Sequence, residues 1–355
     1  MERPRLNHGY STGSCAAGAA KAAALLLEGI STSESIEIPL PNGSRFELPL
    51  LYAHLVAGGA EAAIRKDGGD DPDITTGLII KVKLESTAAG SIAFAGGDGV
   101  GRVTLPGLSV AVGEPAINPG PRGMITAALR EVSDKGYRVT VSIPGGAEIA
   151  QKTFNPKLGI VGGLSILGTT GIVRPYSLEA MRASLLCGLD VTLAAGIANP
   201  IFVPGNLGAK AAQQHFAVAD LQIVEVGNDW GLLLDKALER GTRNFLLLGH
   251  PGKLAKLWLG EWDTHSSRSA MAVGDVLALA RKFIGRDLPD LPTVEGVFGA
   301  LEINERRQFG DHLAELILRA TASRLGKENQ IAVVLTNMKS ELIGQAGRMD
   351  AWQKS

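Results

Sequence analysis

The chain has 355 residues, of which 45% are hydrophobic and 20% charged, with a formal net charge of −1. This composition excludes a disordered chain, which would be poor in apolar residues and rich in charge. It also gives no basic excess for nucleic acid or an anionic membrane surface. The length exceeds one ordinary core and predicts two domains. No run of about 18 apolar residues offers a membrane span, and "MERPRLNHGYST" carries no apolar signal core. Cys15 and Cys187 lie far apart without a CxxC or Cys/His spacing, so neither a disulfide framework nor a zinc site is indicated, and a reducing, cytoplasmic setting is expected. The 45 glycines follow no triplet period. They predict tight turns and close backbone approaches, the material of many small-molecule sites.

In chain order, "GYSTGSCAAGAAKAAALLLEG" reads as an alanine-rich helix running to about Glu28, with Ser11, Thr12 and Ser14 as caps. Its first-turn N–H groups suit a carboxylate; alternatively, the helix start packs tightly because alanine is small. Cys15 is either a low-pKa thiol or a buried structural one, and the absence of a nearby His in sequence favours the second. "SIEIPLPNGSRFELPLLYAHLV" alternates around a Pro-Asn-Gly turn and predicts a hairpin. "RKDGGDDPDITTG" places Asp67, Asp70, Asp71 and Asp73 in one turn without the EF-hand spacing, which leaves a solvated acidic turn or a contact with ligand hydroxyl or amine groups. "GLIIKVKLE" and "RVTVSIP" are strand candidates, and "RGMITAALREVSDKG" a helix ending at Gly136.

Between these strands, "GGDGVGRVTLPGLSVAVGEPAINPGPRGMI" holds GxGxxG-like fragments that do not run from strand into helix, as a dinucleotide fingerprint would. Its Pro-Gly loop carries Glu114, Asn118 and Arg122. Arg122 either grips a carboxylate bidentately or holds the loop together.

After a long glycine-rich connection, strands alternate with helices of ten to fifteen residues: "NPIFVPG" and "NLGAKAAQQHF", "LQIVEVG" and "WGLLLDKALERG", "NFLLLGH" and "PGKLAKLWLG". That rhythm predicts a mainly parallel sheet. The expected organisation is an N-terminal α+β domain over residues 1–165, a Rossmann-like α/β domain over 166–345 and a loose tail over 346–355. "AVGDVLALARKFIG" and "FGDHLAELILRATASRLG" read as further helices, and "QIAVVLTN" as a last strand.

In "IFVPGNLGAK", Gly205 and Gly208 follow a strand and open a helix at Asn206, and Glu225 stands twenty residues after Gly205 at the end of the next strand. In doubly wound sheets this arrangement admits a nucleoside to the backbone while the acid receives ribose hydroxyls. "LLLGHPGKLAKLWLG" repeats the strand-glycine-helix logic with His250, Lys253 and Lys256 but lacks the full GxxxxGK[ST] phosphate loop. Anion contact at the helix start and lysines that simply face water are both open. "EWDTHSSRS" adds His265 and Arg268; a metal pair of His250 and His265 is the weaker reading, and no resident metal is expected.

Taken together, "GYSTGSCAAGAAKAA", "KDGGDDPDITTG", the Pro-Gly block, "KTFNPKLGIVGGLSILGTTGIVRPYS", "VPGNLG" and "GHPGKLAKLWLG...DTHSSRS" resemble the CbiD family, the cobalt-precorrin-5B C1-methyltransferases of cobalamin biosynthesis. The resemblance spans residues 6 to 270 in order. Ser11 and Ser14 stand where the family more often has threonine, and Gly18 lies in a run that is usually alanine. The resemblance implies methyl transfer from S-adenosylmethionine to C1 of cobalt-precorrin-5B, giving cobalt-precorrin-6A on the oxygen-independent route to vitamin B12. The cobalt would arrive inside the substrate, a flat tetrapyrrole fringed with carboxylates. On this reading Gly205, Asn206, Gly208 and Glu225 hold the donor. Ser11, Thr12, Ser14, Glu114, Asn118, Arg122, His250 and Lys253 serve the substrate. No catalytic residue is assigned. A non-catalytic tetrapyrrole carrier or scaffold is the alternative, and a homodimer is one option for an oligomeric state the sequence leaves open.

Overall fold

Short side chains place the first helix, α1 (Thr12–Leu27), at the centre of its neighbours: all but four of its sixteen residues are buried. The structure is a computed structural model that describes residues 6–88 and 90–352. Gly18 shows why larger residues are excluded, since a Cβ there would lie 2.6 Å from Ile64 Cδ1 and 2.9 Å from Leu48 Cδ1. The chain divides into two units, Met1–Leu178 and Glu179–Ser355.

In the first unit, the hairpin β1 (Ser35–Pro39) and β2 (Arg45–Pro49) forms as the Pro-Asn-Gly turn predicts. A second sheet holds β3 (Tyr52–Val56), β4 (Gly59–Arg65), β5 (Ile79–Thr87), β6 (Ile92–Gly96) and, after helix α2 (Pro119–Arg130), β7 (Gly136–Ser142). Its order is β3-β4-β5-β7-β6, antiparallel except for the β6–β7 pair. The period of two is plain in β5, where Ile80, Val82 and Leu84 are buried and Lys81, Lys83 and Glu85 are not. The buried residues share one core with α1 and α2. This unit is α+β. The second helix stops earlier than expected: Arg130 turns back onto the carbonyls of Ser133, Lys135 and Gly90. Gly136 therefore opens β7, where a Cβ would meet Gly90 N at 2.6 Å.

One charge cluster ties three of these elements. Glu131, at the end of α2, accepts from Lys21 Nζ of α1 (2.6 Å) and from Arg45 of β2 (2.7 and 3.0 Å). Arg45 foremost, aided by Lys21, holds the Glu131 carboxyl at about 2 against a usual 4.5. A lowered native pKa means the stabilisation is complete above about 4.5 and is lost as pH falls toward 2. At a partly solvated site it is worth on the order of 1 kcal/mol. Glu131→Gln should remove that much stability at pH 7 and flatten the dependence of urea unfolding between pH 4.5 and 3; an unchanged slope would assign the acid sensitivity to other carboxylates.

The second unit contains α3 (Leu178–Ala194), β8 (Ile201–Val203), α4 (Asn206–His215), β9 (Ile223–Glu225), α5 (Trp230–Glu239), β10 (Asn244–Gly249) and α6 (Pro251–Trp258). It continues with α7 (Val273–Ile284), α8 (Val294–Gly299), α9 (Ile303–Leu325), β11 (Gln330–Thr336) and β12 (Leu342–Gly347). The sheet order is β9-β8-β10-β11-β12, parallel except for the antiparallel edge β12. Alternate residues of β10 and β11 enter different cores: Phe245, Leu247, Val333 and Leu335 meet α5, α6 and α9, whereas Leu246, Leu248, Ala332 and Val334 meet α4 and Trp352. Burial on both faces is why "NFLLLG" is apolar throughout instead of alternating.

Two boundaries differ from expectation. Residues 166–177 stay with the first unit, because Gly9–Tyr10 pairs with Ile172–Val173 and Ser11 N–H donates to Gly171 O; the division therefore falls after Leu178 and not after 165. The supposedly loose tail is packed as far as it is described. β12 runs to Gly347, and Trp352 is 3% exposed with its Nε1–H donated to Asn199 O at 2.9 Å. Residues 353–355 lie outside the described residues.

Candidate functional site

In the second unit, β8 ends at Val203 and the chain turns through Pro204 and Gly205 into α4. Gly205 has φ +153°, a conformation that favours glycine, and a Cβ there would find no heavy atom within 4 Å. The first turn of α4 carries no side-chain cap, so its N–H groups stay available. Gly208 acts through packing instead. Its Cβ would lie 2.9 Å from both Pro204 Cδ and Val203 Cβ, so its absence lets the helix close on the strand. Val203 is registered against Glu225 in the parallel pair β8–β9. Adjacent strands lie about 4.8 Å apart, so the half-buried Glu225 ends the strand next to the one that leads into the Gly205 turn, and Asn206 is exposed at the start of α4.

On the other side of β8, β10 ends at Gly249 and His250 caps α6. His250 Nδ1 accepts from Gly252 N–H (3.0 Å), so in the neutral ring the proton resides on Nε2, which contacts Glu295 Oε2 at 2.8 Å. Lys253 Nζ reaches Asn228 Oδ1 (2.9 Å), which follows β9. The contact joins segments leaving the two strands that flank β8, the point where strand order reverses and open α/β sheets bind ligands. Burial, reinforced by the charge of Lys256, lowers the Lys253 pKa. Lys256 is 4% exposed and donates to Thr264 O (3.1 Å) and Ser269 Oγ (2.8 Å). Neither lysine has a carboxylate partner among the described residues.

The "DTHSSRS" turn is held by charge. Asp263 pairs with Arg268 (2.5 Å), and Asp229 with Arg182 (2.6 Å). His265 Nδ1 accepts from Ser267 and is part of the turn itself. Among the described residues no group of three or more His, Cys, Asp or Glu could hold a metal ion. Sequence reasoning passed over Asn228, Asp229, Arg182 and Glu295. Asn228 and Asp229 had a signal in their place just after a strand; Arg182 and Glu295 had none.

The first unit places its expected residues differently. Ser11, Thr12 and Ser14 are buried and serve the 167–171 loop: Thr12 Oγ1 both donates to Leu167 O (3.2 Å) and accepts from its N–H (2.8 Å), and Ser14 Oγ donates to Gly171 O (2.6 Å). Gly13 N–H likewise donates to Leu167 O. The polar groups at this helix start, expected to serve a ligand, bind the chain's own loop. Burial pushes the Cys15 thiol far up, away from a reactive thiolate. Glu114 and Arg122 do meet, at 3.3 Å, while Arg122 Nε donates to Ile117 O and its guanidinium lies over Phe94. Asn118 precedes α2 without a side-chain cap bond.

The acidic turn is structural in every member. Asp73 pairs with the buried Lys66 at 2.7 Å, Asp67 accepts from Gly69 N–H, Asp70 from Asn7 N–H, and Asp71 from Tyr176 N–H. In "GGDGVG", Gly99 packs backbone on backbone. A Cβ on Gly99 would lie 1.9 Å from Ile143 O, and one on Gly163 would lie 2.3 Å from Gly99 O.

The sequence model of the CbiD family matches residues 1–175. A cobalt-precorrin-5B C(1)-methyltransferase from Syntrophotalea carbinolica is 49% identical over 98% of this chain and 99% of its own. The chain belongs to the CbiD family. A second CbiD-family relative, the cobalt-precorrin-5B C(1)-methyltransferase of Methanocaldococcus jannaschii, is 42% identical over 96% of this chain and 97% of its own. A crystal structure of the cobalamin biosynthesis protein CbiD from Archaeoglobus fulgidus shares 28% identity, covering 74% of this chain and 83% of that one, with a TM-score of 0.40. No helix among the described residues of this CbiD-family chain is long and apolar enough to cross a membrane.

Proposed function

We propose that this chain methylates C1 of cobalt-precorrin-5B with S-adenosylmethionine as donor, giving cobalt-precorrin-6A in oxygen-independent cobalamin biosynthesis. The observation that carries the reading is 49% identity to a protein of that name across both units, not across one motif. The second unit is read as Rossmann-like, with the donor's nucleoside in the Gly205–Glu225 crevice. The open space at Gly205, the uncapped first turn of α4 and the carboxylate registered beside them fit a ribose and its attached chain.

The donor supplies a methyl group already activated on a sulfonium. What the protein must add is position. A ring carbon made nucleophilic by a conjugated nitrogen forms its bond to the methyl as the carbon–sulfur bond breaks, the electron pair leaving on sulfur, and this needs alignment at short range more than a strong base. Glu225 orients the donor by accepting its ribose hydroxyls. Lys253 presents charge to an acceptor carboxylate. Two thiols without a disulfide, Cys15 and Cys187, support a reducing, cytoplasmic setting.

Incubating the protein anaerobically with cobalt-precorrin-5B and methyl-labelled donor should yield a tetrapyrrole carrying one labelled methyl, located at C1 by NMR. A product without label would sink the proposal.

A further inference from the structure

A cavity of about 370 Å³ in the second unit is bounded by His250 and Lys256 of the α6 region, Met271 and Val273 at the start of α7, Val294 and Glu295 of α8, and Met338 after β11. We infer that this cavity seats the ring edge of the tetrapyrrole acceptor that receives the methyl group, with Lys253 and Lys256 as the positive charges that draw in its carboxylates. The inference rests on the methyl-transfer reading and extends it to a place for the acceptor.

Its size is at the small end of ligand pockets. One five-membered ring with its methyl substituents fits; a whole macrocycle does not, and the remainder would lie over the mouth. Met271 and Met338, both more than half exposed, form that mouth. Thioether side chains adapt to flat, irregular apolar surfaces at little cost. An adenine ring would fit the same volume, so position and charge must decide between donor and acceptor.

Position favours the acceptor. Glu225 ends β9, the edge strand, whereas the cavity lies at the ends of β10 and β11, two and three strands away, about 10–14 Å at ordinary strand spacing. With the ribose at Glu225, a sulfonium on the inner side stands over β8 and β10, and its methyl meets the cavity from that side. In the opposite orientation it would stand beyond β9, where the sheet ends.

Charge agrees. Of the lining residues Lys256 and Glu295 are ionic, and Lys253 follows the lining Gly252 on α6, so α6 brings two ammonium groups against one carboxylate. A sulfonium cation is disfavoured there, and a carboxylate-fringed acceptor is attracted. Lys256 is a buried ammonium bound, among the described residues, only by a carbonyl and a hydroxyl. An anion at the cavity mouth would supply the counter-charge these residues lack.

Two variants test this. Val294→Phe fills the cavity from a nearly buried wall; Met338→Glu places a negative charge at the mouth from an exposed position and does not threaten folding. Anaerobic titrations with cobalt-precorrin-5B and with S-adenosylhomocysteine should show acceptor affinity reduced roughly tenfold or more in both variants and S-adenosylhomocysteine affinity within about twofold of wild type. Unchanged acceptor binding in both variants, or a loss confined to S-adenosylhomocysteine, overturns the inference while leaving the methyl-transfer reading in place. A wild-type protein that binds neither ligand overturns both.

Discussion

Replacing Gly310 with alanine should destabilise the second unit by more than about 3 kcal/mol, a large share of the 5–15 kcal/mol typical of a domain. Gly310 lies in α9 where the helix touches β12 backbone to backbone: an added Cβ would stand 1.8 Å from Ile343 O, and one on Gly344 would stand 2.2 Å from Gly310 C. Overpacking usually costs about 1–3 kcal/mol because side chains can yield. Here the obstacle is main chain on both sides, so either the helix or the strand must move. Gly274, exposed in α7 with nothing within 4 Å of its would-be Cβ, is the control. Alanine there should be neutral or stabilising by a few tenths to about 1 kcal/mol. Guanidinium unfolding of the two variants decides the matter; equal midpoints would overturn the close approach.

Donor binding should fail at Glu225 and Gly208 for different reasons. Glu225→Gln keeps the shape and removes the charge that strengthens hydrogen bonds to ribose hydroxyls, so S-adenosylhomocysteine affinity should drop by about 1–2 kcal/mol, roughly five- to thirtyfold, with acceptor binding unchanged. Gly208→Val drives a branched side chain into Pro204 and Val203 and lifts the start of α4 away from the turn. The loss should exceed that of Glu225→Gln and be accompanied by reduced stability. Calorimetry separates them, and wild-type affinity in both variants would place the donor elsewhere.

Much of the architecture was legible because periodicity and punctuation are local properties. The three strand-helix units from Ile201 to Trp258, the hairpin turned at Asn42–Gly43 and the period of two in Ile79–Thr87 all follow from patterns a few residues long. What sequence could not show depends on distant partners. The hydroxyls of Thr12 and Ser14 look like ligand groups until Leu167 and Gly171 arrive to take them. The acidic turn looks solvated, or open to a ligand's hydroxyl or amine groups, until Lys66 and four backbone N–H groups account for its carboxylates. Trp352 alone hinted that the final segment packs, since a large aromatic side chain is rarely left in a loose tail. In the second unit the proposed donor crevice rests on the local spacing of Gly205, Gly208 and Glu225, whereas the cavity draws walls from α6, α7, α8 and the turn after β11, four segments without a common motif.

The burial of α1 has a consequence for synthesis on the ribosome. Its neighbours emerge late: β4 and β5 come some fifty residues behind it, α2 about a hundred, and the loop that binds Thr12 and Ser14 is 155 and 157 residues downstream. At about 5–20 residues per second the helix waits roughly 10–30 s after leaving the exit tunnel before its last partner exists. Until then part of this alanine-rich, nearly uncharged helix stays uncovered on the nascent chain, which makes it a natural client for a tunnel-proximal chaperone.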